Sequence, residues 1–243
     1  MQIINQIKRC LQIKLYYNSG IYKKYFKRVL DFNLSLMAII ILFPVLLLIA
    51  LFIRLRLGDP IIFKQMRPGL NEKTFTMYKF RTMADEYDDK GRLLPDSIRL
   101  TKFGKALRST SLDELPELFN ILIGNMSIVG PRPQLIKDMV FMSPEQRLRH
   151  TVLPGLTGLA QINGRNSISW EEKFKYDLQY INNITFWGDC KIIFTTAIKA
   201  IRRDGIAAEG METAEDFGDY LLRVGKINEN TYKDIIKDCQ RFS

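Results

Sequence analysis

Phe32-Asn-Leu-Ser-Leu-Met-Ala-Ile-Ile-Ile-Leu-Phe-Pro-Val-Leu-Leu-Leu-Ile-Ala-Leu-Phe-Ile53 is the stretch that decides how the rest of the chain is read. Only Asn33, Ser35 and Pro44 interrupt its apolar run. Its ~22 positions compare with the ~20 that a straight span of a bilayer needs. A cleaved secretory signal does not fit, because the run is too long and no small-residue cleavage site follows. A single span is the more serious alternative, and two features oppose it. Lys23, Lys24, Lys27 and Arg28 precede the run and Arg54, Arg56, Lys64 and Arg67 follow it. The positive-inside bias therefore asks for both ends on the cytoplasmic face. Pro44 lies at the middle, where it removes a backbone hydrogen bond and kinks a helix. A helix that enters the membrane, breaks at Pro44 and returns meets both conditions. Asn33 and Ser35 are then available to satisfy backbone groups that the proline frees.

The 243 residues suit one large domain, alone or with appendages. A net charge of +10 and a pI near 9.5 point to an anionic partner: nucleic acid, phospholipid headgroups or a phosphorylated substrate. No P-loop and no aromatic-rich basic strand is present, so a nucleic-acid partner is not expected. Cys10, Cys190 and Cys239 are far apart and odd in number, which predicts no disulfide framework and a reducing compartment. The single histidine, His150, rules out a His-rich zinc site. Carboxylates, lysines and arginines must carry any chemistry.

Outward from the apolar run, residues 1–27 read as a basic arm and 28–55 as the membrane segment. Residues 56–205 read as a cytoplasmic domain and 206–243 as a tail ending in an amphipathic helix. Ile61–Phe63 and Lys73–Arg81 read as two strands of a hairpin that puts Lys79 and Arg81 on one face. Asp85, Glu86, Asp88 and Asp89 form a loop without the alternating ligand pattern of a calcium site. Ile98 to Leu107 reads as an amphipathic helix, lying in a membrane interface or packed on the core.

Next comes Ser109-Thr-Ser-Leu-Asp-Glu-Leu-Pro-Glu-Leu-Phe-Asn120, where a helix begins beside two adjacent carboxylates. Ser111 with Glu114 fits a capping box, and Asp113 as N-cap is the competing register. Either register puts Asp113 at the positive end of a helix, which favours its anion and leaves Glu114 holding a proton more tightly. The two acids serve as helix caps, or as a nucleophile beside an acid or base. Pro131 and Pro133 hold Arg132 on stiff backbone, suited to bidentate phosphate recognition. Pro154–Gly158 and Asn163–Asn166 read as loops around a short strand, Leu159–Ile162, and offer Arg165 and backbone N–H groups to a phosphate. Ser169 caps a helix that carries Asp177, a candidate substrate contact. Asp189 caps a further helix with a broad apolar face.

Six strings recur in order: Arg67-Pro-Gly-Leu-Asn-Glu-Lys73, Tyr78-Lys-Phe-Arg-Thr-Met83, Ser111-Leu-Asp-Glu-Leu-Pro116, Gly130-Pro-Arg-Pro133, Pro154-Gly-Leu-Thr-Gly-Leu-Ala-Gln161 and Asn163-Gly-Arg-Asn166. Together they resemble the bacterial sugar transferases, or monotopic phosphoglycosyl transferases, from about Tyr25 to about Phe217. The likeness is greatest to the small members that move phospho-N,N′-diacetylbacillosamine from UDP to undecaprenyl phosphate. It implies an α+β, helix-dominated monotopic membrane protein. Such a protein has a re-entrant membrane helix, amphipathic interfacial helices and a small β-hairpin. It sits at the cytoplasmic face of a bacterial inner membrane, against phospholipid. The implied reaction is the first membrane step of glycoconjugate assembly, with a UDP-sugar and undecaprenyl phosphate as partners. A UDP-galactose or UDP-N-acetylglucosamine type sugar is the alternative donor. Asp113 then attacks the sugar-linked phosphate, expels UMP and becomes a covalent adduct, with Glu114 as its partner acid. The resemblance also implies Mg²⁺, with Asp113 as ligand, and basic residues at Lys79, Arg108, Arg132 and Arg165. One departure is Phe43-Pro44, where the family often has Ser-Pro. The rival reading, a membrane-anchored basic binding protein, has no use for two acids set among arginines.

The re-entrant topology makes a direct prediction. Lys14→Cys in otherwise unmodified protein reacts with a membrane-impermeant thiol reagent only from the cytoplasmic side. Labelling from the opposite side sinks the topology.

Overall fold

The computed structural model describes residues 20–164, 167–202 and 215–239. A π-helical turn, Tyr22–Phe26, leads into helix α1, Lys27–Leu57. At 31 residues α1 is about 46 Å long if straight. Among the described residues it is the one helix long and apolar enough to enter a membrane. One stripe of it packs on protein: Asp31, Ser35, Ile39, Leu46, Ile49 and Ile53 are buried. Met37, Ile40, Ile41, Leu47, Leu48, Leu51 and Leu55 stand exposed on its other faces, an apolar surface that lipid would cover. The helix continues through Pro44.

Asn33 and Ser35 do not serve the backbone freed there. Asn33 Nδ2 donates to Val29 O at 2.8 Å and Ser35 Oγ to Phe32 O at 3.0 Å. The carbonyl that Pro44 releases belongs to Ile40, one to two turns further along. Side chains this short reach only the carbonyls three or four residues before them.

Strands β1, Ile62–Pro68, and β2, Thr74–Phe80, form the expected hairpin, with Phe63 paired to Lys79. Its turn holds Asn71 and Glu72 in the left-handed region, at φ 52° and 64°. The amphipathic segment after it splits at Leu100 into α2, Asp96–Arg99, and α3, Lys102–Ser109, capped by Thr101. Leu107 packs against Phe80 and Leu46, so α3 takes the core reading over the interfacial one.

A 3₁₀ turn, Leu112–Glu114, then leads into α4, Glu117–Ile123. Two polar anchors fix α4. Asn120 is fully buried; its Oδ1 accepts from Tyr78 N at 3.0 Å and its Nδ2 donates to Thr76 O at 2.7 Å. Arg28 of α1 donates to Ile121 O and Leu122 O at 2.6 and 2.8 Å, adding a charged donor to the last carbonyls of α4, of which Ile121 O also accepts from Gly124 N.

Strand β3, Ser127–Val129, precedes the short helix α5, Ile136–Met139, and pairs in parallel with β4, Gly155–Thr157. Leu159–Ile162, expected as a strand, is a one-turn helix, α6. Its run is too short for periodicity to separate the two. A Cβ on Gly155 or Gly158 would collide with the backbone of Gly130, so glycine permits this close approach.

Helix α7, Trp170–Asn182, starts with the expected Ser169–Glu172 capping box, and α8, Phe186–Arg202, follows. Asp189 is not a cap. Its buried carboxylate accepts from Tyr22, Lys27 and Tyr180, tying the base of the membrane helix to α8. Tyr22 and Lys27 therefore belong to the structured part, not to the basic arm; residues 1–19 lie outside the description. The tail docks on the domain as α9, Phe217–Arg223, and α10, Glu229–Cys239. Phe217 packs among Trp170 and Phe174, and its N–H donates to Asp138 at 2.8 Å.

Asn120→Ala strands a buried N–H and a buried carbonyl of β2. At about 1–2 kcal/mol each, the loss is about 3 kcal/mol and lowers the melting temperature by roughly 6–12 °C. A melting temperature within 2 °C of the parent's would remove Asn120 from this role.

Candidate active site

The hairpin, the turn before α4 and the loop after β3 enclose one cavity of about 610 Å³. Asp113, Glu114, Lys79, Arg108, Arg132 and Asp177 all line it. Six of the seven residues named from the sequence as catalytic or substrate-binding thus converge on one space. Arg165, the seventh, lies outside the described residues.

Each arrives by its own element. Lys79 projects from the next-to-last position of β2. Asp113 and Glu114 sit on the 3₁₀ turn, behind Ser111 in the left-handed region at φ 55°. Neither expected cap forms: Ser111 makes no side-chain cap, and α4 begins only at Glu117, after Pro116. Arg132 follows the close-packed Gly130, and its carbonyl accepts from Arg149 Nη2 at 2.6 Å. Arg108 closes α3 and is steadied by Thr82, Nε to Oγ1 at 3.0 Å.

The charges are partitioned unevenly. Glu114 takes Lys79 Nζ at 2.9 Å on Oε1 and is also bonded by the Arg132 guanidinium. Lys79 lies 3.1 Å from Glu117 as well. Asp113 is buried and accepts no hydrogen bond among the described residues. The expected polarity of the dyad is therefore reversed. Burial, then the neighbouring Glu114 anion, push the Asp113 carboxyl up to about 6, against the pull of Lys79, Arg108 and Arg132. Burial alone would raise Glu114 too, but Arg132 and Lys79 hold it well below the usual carboxylate range. The physical reason is position: with no N-cap at Asp113, the helix dipole does not favour its anion, while both nearby cations grip Glu114. Asp113 remains mostly ionised at neutral pH, and is more basic than an ordinary aspartate.

Sequence reasoning missed two residues here. Glu117 is almost wholly buried in the cavity wall, and among the described residues its carboxylate makes no well-aligned hydrogen bond, the Lys79 ammonium 3.1 Å from Oε1 being its one close cation. Burial pushes it up to about 7, opposed by Lys79 and reinforced by Glu114. A glutamate on the inward side of an apolar helix, four residues past the dyad, is the local signal that marks it. Arg149 is the second. It is 2 % exposed and its Nε donates to Asp177 Oδ2 at 2.9 Å. Asp177 thus borders the cavity but gives its carboxylate to the protein; through Arg149 it holds the backbone of Arg132. No local pattern predicts a pair 28 residues apart.

The described residues contain no group of three or more side chains suited to a metal. Mg²⁺ does not need one: it keeps several waters and uses one or two carboxylates with substrate phosphates. An Asp113 carboxylate without hydrogen bonds on a cavity wall fits that mode.

Comparison with known proteins agrees with the geometry. An uncharacterized sugar transferase, EpsL, of Bacillus subtilis (strain 168) is 48% identical over 191 residues, covering 79% of this chain and 95% of that protein. The UDP-glucose:undecaprenyl-phosphate glucose-1-phosphate transferase of Klebsiella pneumoniae is 45% identical over 184 residues, 72% of this chain. The undecaprenyl-phosphate galactose phosphotransferase of Salmonella typhimurium is 37% identical over 200 residues, 75% of this chain. The chain spans about two-fifths of these last two, covering 40% and 42% of their lengths. A family match to the bacterial sugar transferases runs over residues 22–203. From the turn that starts the membrane helix to one residue past α8, then, this chain is a sugar transferase, a member of the bacterial sugar transferase family.

Proposed function

We propose that the chain moves a sugar 1-phosphate from a UDP-sugar to undecaprenyl phosphate, releasing UMP, at the cytoplasmic face of a bacterial inner membrane. The observation that carries this reading is Asp113. It is a buried, basic carboxylate without a hydrogen-bonding partner among the described residues, in a cavity lined by Lys79, Arg108 and Arg132. A carboxylate that served only as structure would be bonded, as Glu114 is.

In the first displacement an Asp113 oxygen attacks the sugar-linked phosphorus. The bond from that phosphorus to the bridging oxygen breaks, and UMP leaves with the electron pair. The product is a mixed anhydride of Asp113 and the sugar phosphate. In the second, a phosphate oxygen of undecaprenyl phosphate attacks the same phosphorus and returns Asp113 as a carboxylate. Splitting the transfer this way replaces one difficult step by two easier ones. Lys79 and Arg132, held by Glu114, supply fixed positive potential where charge spreads over the phosphoryl oxygens. Glu114 is an anion that orients these cations, and the raised Glu117 carboxyl supports giving the proton-holding part to Glu117. Asp113 would also hold Mg²⁺, which when bound neutralises phosphate charge.

The apolar surface of α1 and its two basic flanks support membrane entry from the cytoplasmic side, where the lipid acceptor's phosphate is reached. For the sugar, the motif strings favour UDP-N,N′-diacetylbacillosamine and with it protein glycosylation. The second reading, a UDP-hexose such as UDP-glucose or UDP-galactose, is favoured by the names of the Klebsiella and Salmonella relatives. Turnover across a panel of these UDP-sugars separates the two.

Intact mass tests the chemistry. With UDP-sugar and Mg²⁺ but no lipid phosphate, the parent gains one phosphosugar. Asp113→Asn gains none and loses turnover by ~10³-fold or more, about 4 kcal/mol of barrier. Chelating the metal suppresses both signals. A phosphosugar mass on Asp113→Asn assigns the nucleophile elsewhere.

A further inference from the structure

Lys173 lines the same cavity, one turn into α7, and its ammonium stands 4.7 Å over the Trp170 ring. Among the described residues it makes no hydrogen bond and no ion pair. Each of the other lysines and arginines of the cavity wall makes at least one hydrogen bond or ion pair. Lys79 and Arg132 hold Glu114, Arg81 and Arg99 hold Asp85, Arg108 holds Thr82, and Arg67 holds Gln65 although its buried Nε has no partner among the described residues. A half-buried ammonium with no anion is unfavourable, and burial indeed lowers the Lys173 pKa. Its acidic neighbours are Asp138, Asp177 and Glu215 and its basic ones Arg132 and Arg149, and among the described residues it makes no hydrogen bond or ion pair to Asp113 or Glu114. It therefore serves a different part of the ligand from the phosphorus that Asp113 attacks. In a two-phosphate donor undergoing in-line displacement, that part is the leaving side.

We propose that Lys173 binds the phosphate of the departing UMP and is a further substrate-binding residue of this cavity. The proposal rests on the UDP-sugar reading above. The Trp170 face steadies the lysine stem, so the charge is presented with little loss of side-chain freedom. A sugar hydroxyl or the uracil ring could also meet this ammonium, and the test separates these from phosphate.

The probes are UMP and uridine, titrated calorimetrically into the full chain in detergent or nanodiscs. Lys173→Met keeps the stem and removes the charge. It weakens UMP binding at least tenfold, leaves uridine within twofold, and raises the donor KM more than it lowers kcat. Lys173→Arg recovers most of the UMP affinity, and the melting temperature of each variant stays near the parent's. If Lys173→Met costs the fold, Lys173→Gln carries the same comparison. UMP affinity indifferent to the charge at 173, or equal losses for UMP and uridine, overturns the proposal. Binding is read without turnover, so the two readings fail separately. A parent that binds UMP through Lys173 but forms no phosphosugar adduct sinks the aspartyl route alone. An adduct-forming parent whose UMP affinity ignores Lys173 sinks this proposal alone.

Discussion

Glu114 clasped between Lys79 and Arg132 is the interaction on which the rest of the site depends. Three carboxylates, Asp113, Glu114 and Glu117, crowd one partly dry space. Two unit charges ~4 Å apart repel by about 4 kcal/mol at a near-surface dielectric, so all three cannot be ordinary anions. The two cations settle the matter by stabilising one of them. Glu114 becomes a firm anion, and Asp113 and Glu117 are left basic. Asp113 gains reactivity from this arrangement without needing a base of its own.

Each half of the clasp is delivered by backbone that must hold still. Lys79 rides on β2, and Asn120 fastens β2 to α4 through Tyr78 N and Thr76 O. Arg132 rides on the loop after β3, where the Gly130–Gly155–Gly158 contact closes the backbone and Arg149 pins the carbonyl. The membrane helix reaches both. Arg28 caps α4, and Asp31 accepts from Ile128 N in β3 at 3.0 Å. The long apolar helix thus also fixes the walls of the cavity.

What the sequence disclosed and what it concealed divide along range. The apolar run, the hairpin and the Ser169 cap are local patterns, and they are where the residues said they would be. The dyad, Lys79, Arg108 and Arg132 were legible as unusual chemistry in stiff or turning backbone, and they do share one cavity. The polarity of the dyad was not legible. It depends on which carboxylate two cations from distant strands choose, and adjacent residues give no sign of that. Asn120, Arg149 and Glu117 hid for the same reason, since each is polar inside an apolar surround and takes its meaning from a partner 28 to 44 residues away or from the cavity itself. Leu159–Ile162 failed differently: three apolar residues and a glutamine fit a strand or a turn of helix equally well, and only the glycine packing beside them decides.

The charge balance also constrains how a donor enters. Without substrate, Glu114 offsets one of the two positive charges of Lys79 and Arg132, Glu117 when ionised offsets the other, and Arg108 faces Asp113. A UDP-sugar brings about two negative charges into this space. Arg132 cannot serve those phosphates fully while it clasps Glu114, and releasing it would leave Glu114 buried and unpaired, at a cost of several kcal/mol. The added charge must therefore be met from outside the clasp. On the proposed reading, a divalent cation at Asp113 and the Lys173 ammonium would meet it, one for each phosphate. On this reasoning the clasp stays closed through the reaction, and the groups that change partners are those that the folded chain leaves unsatisfied.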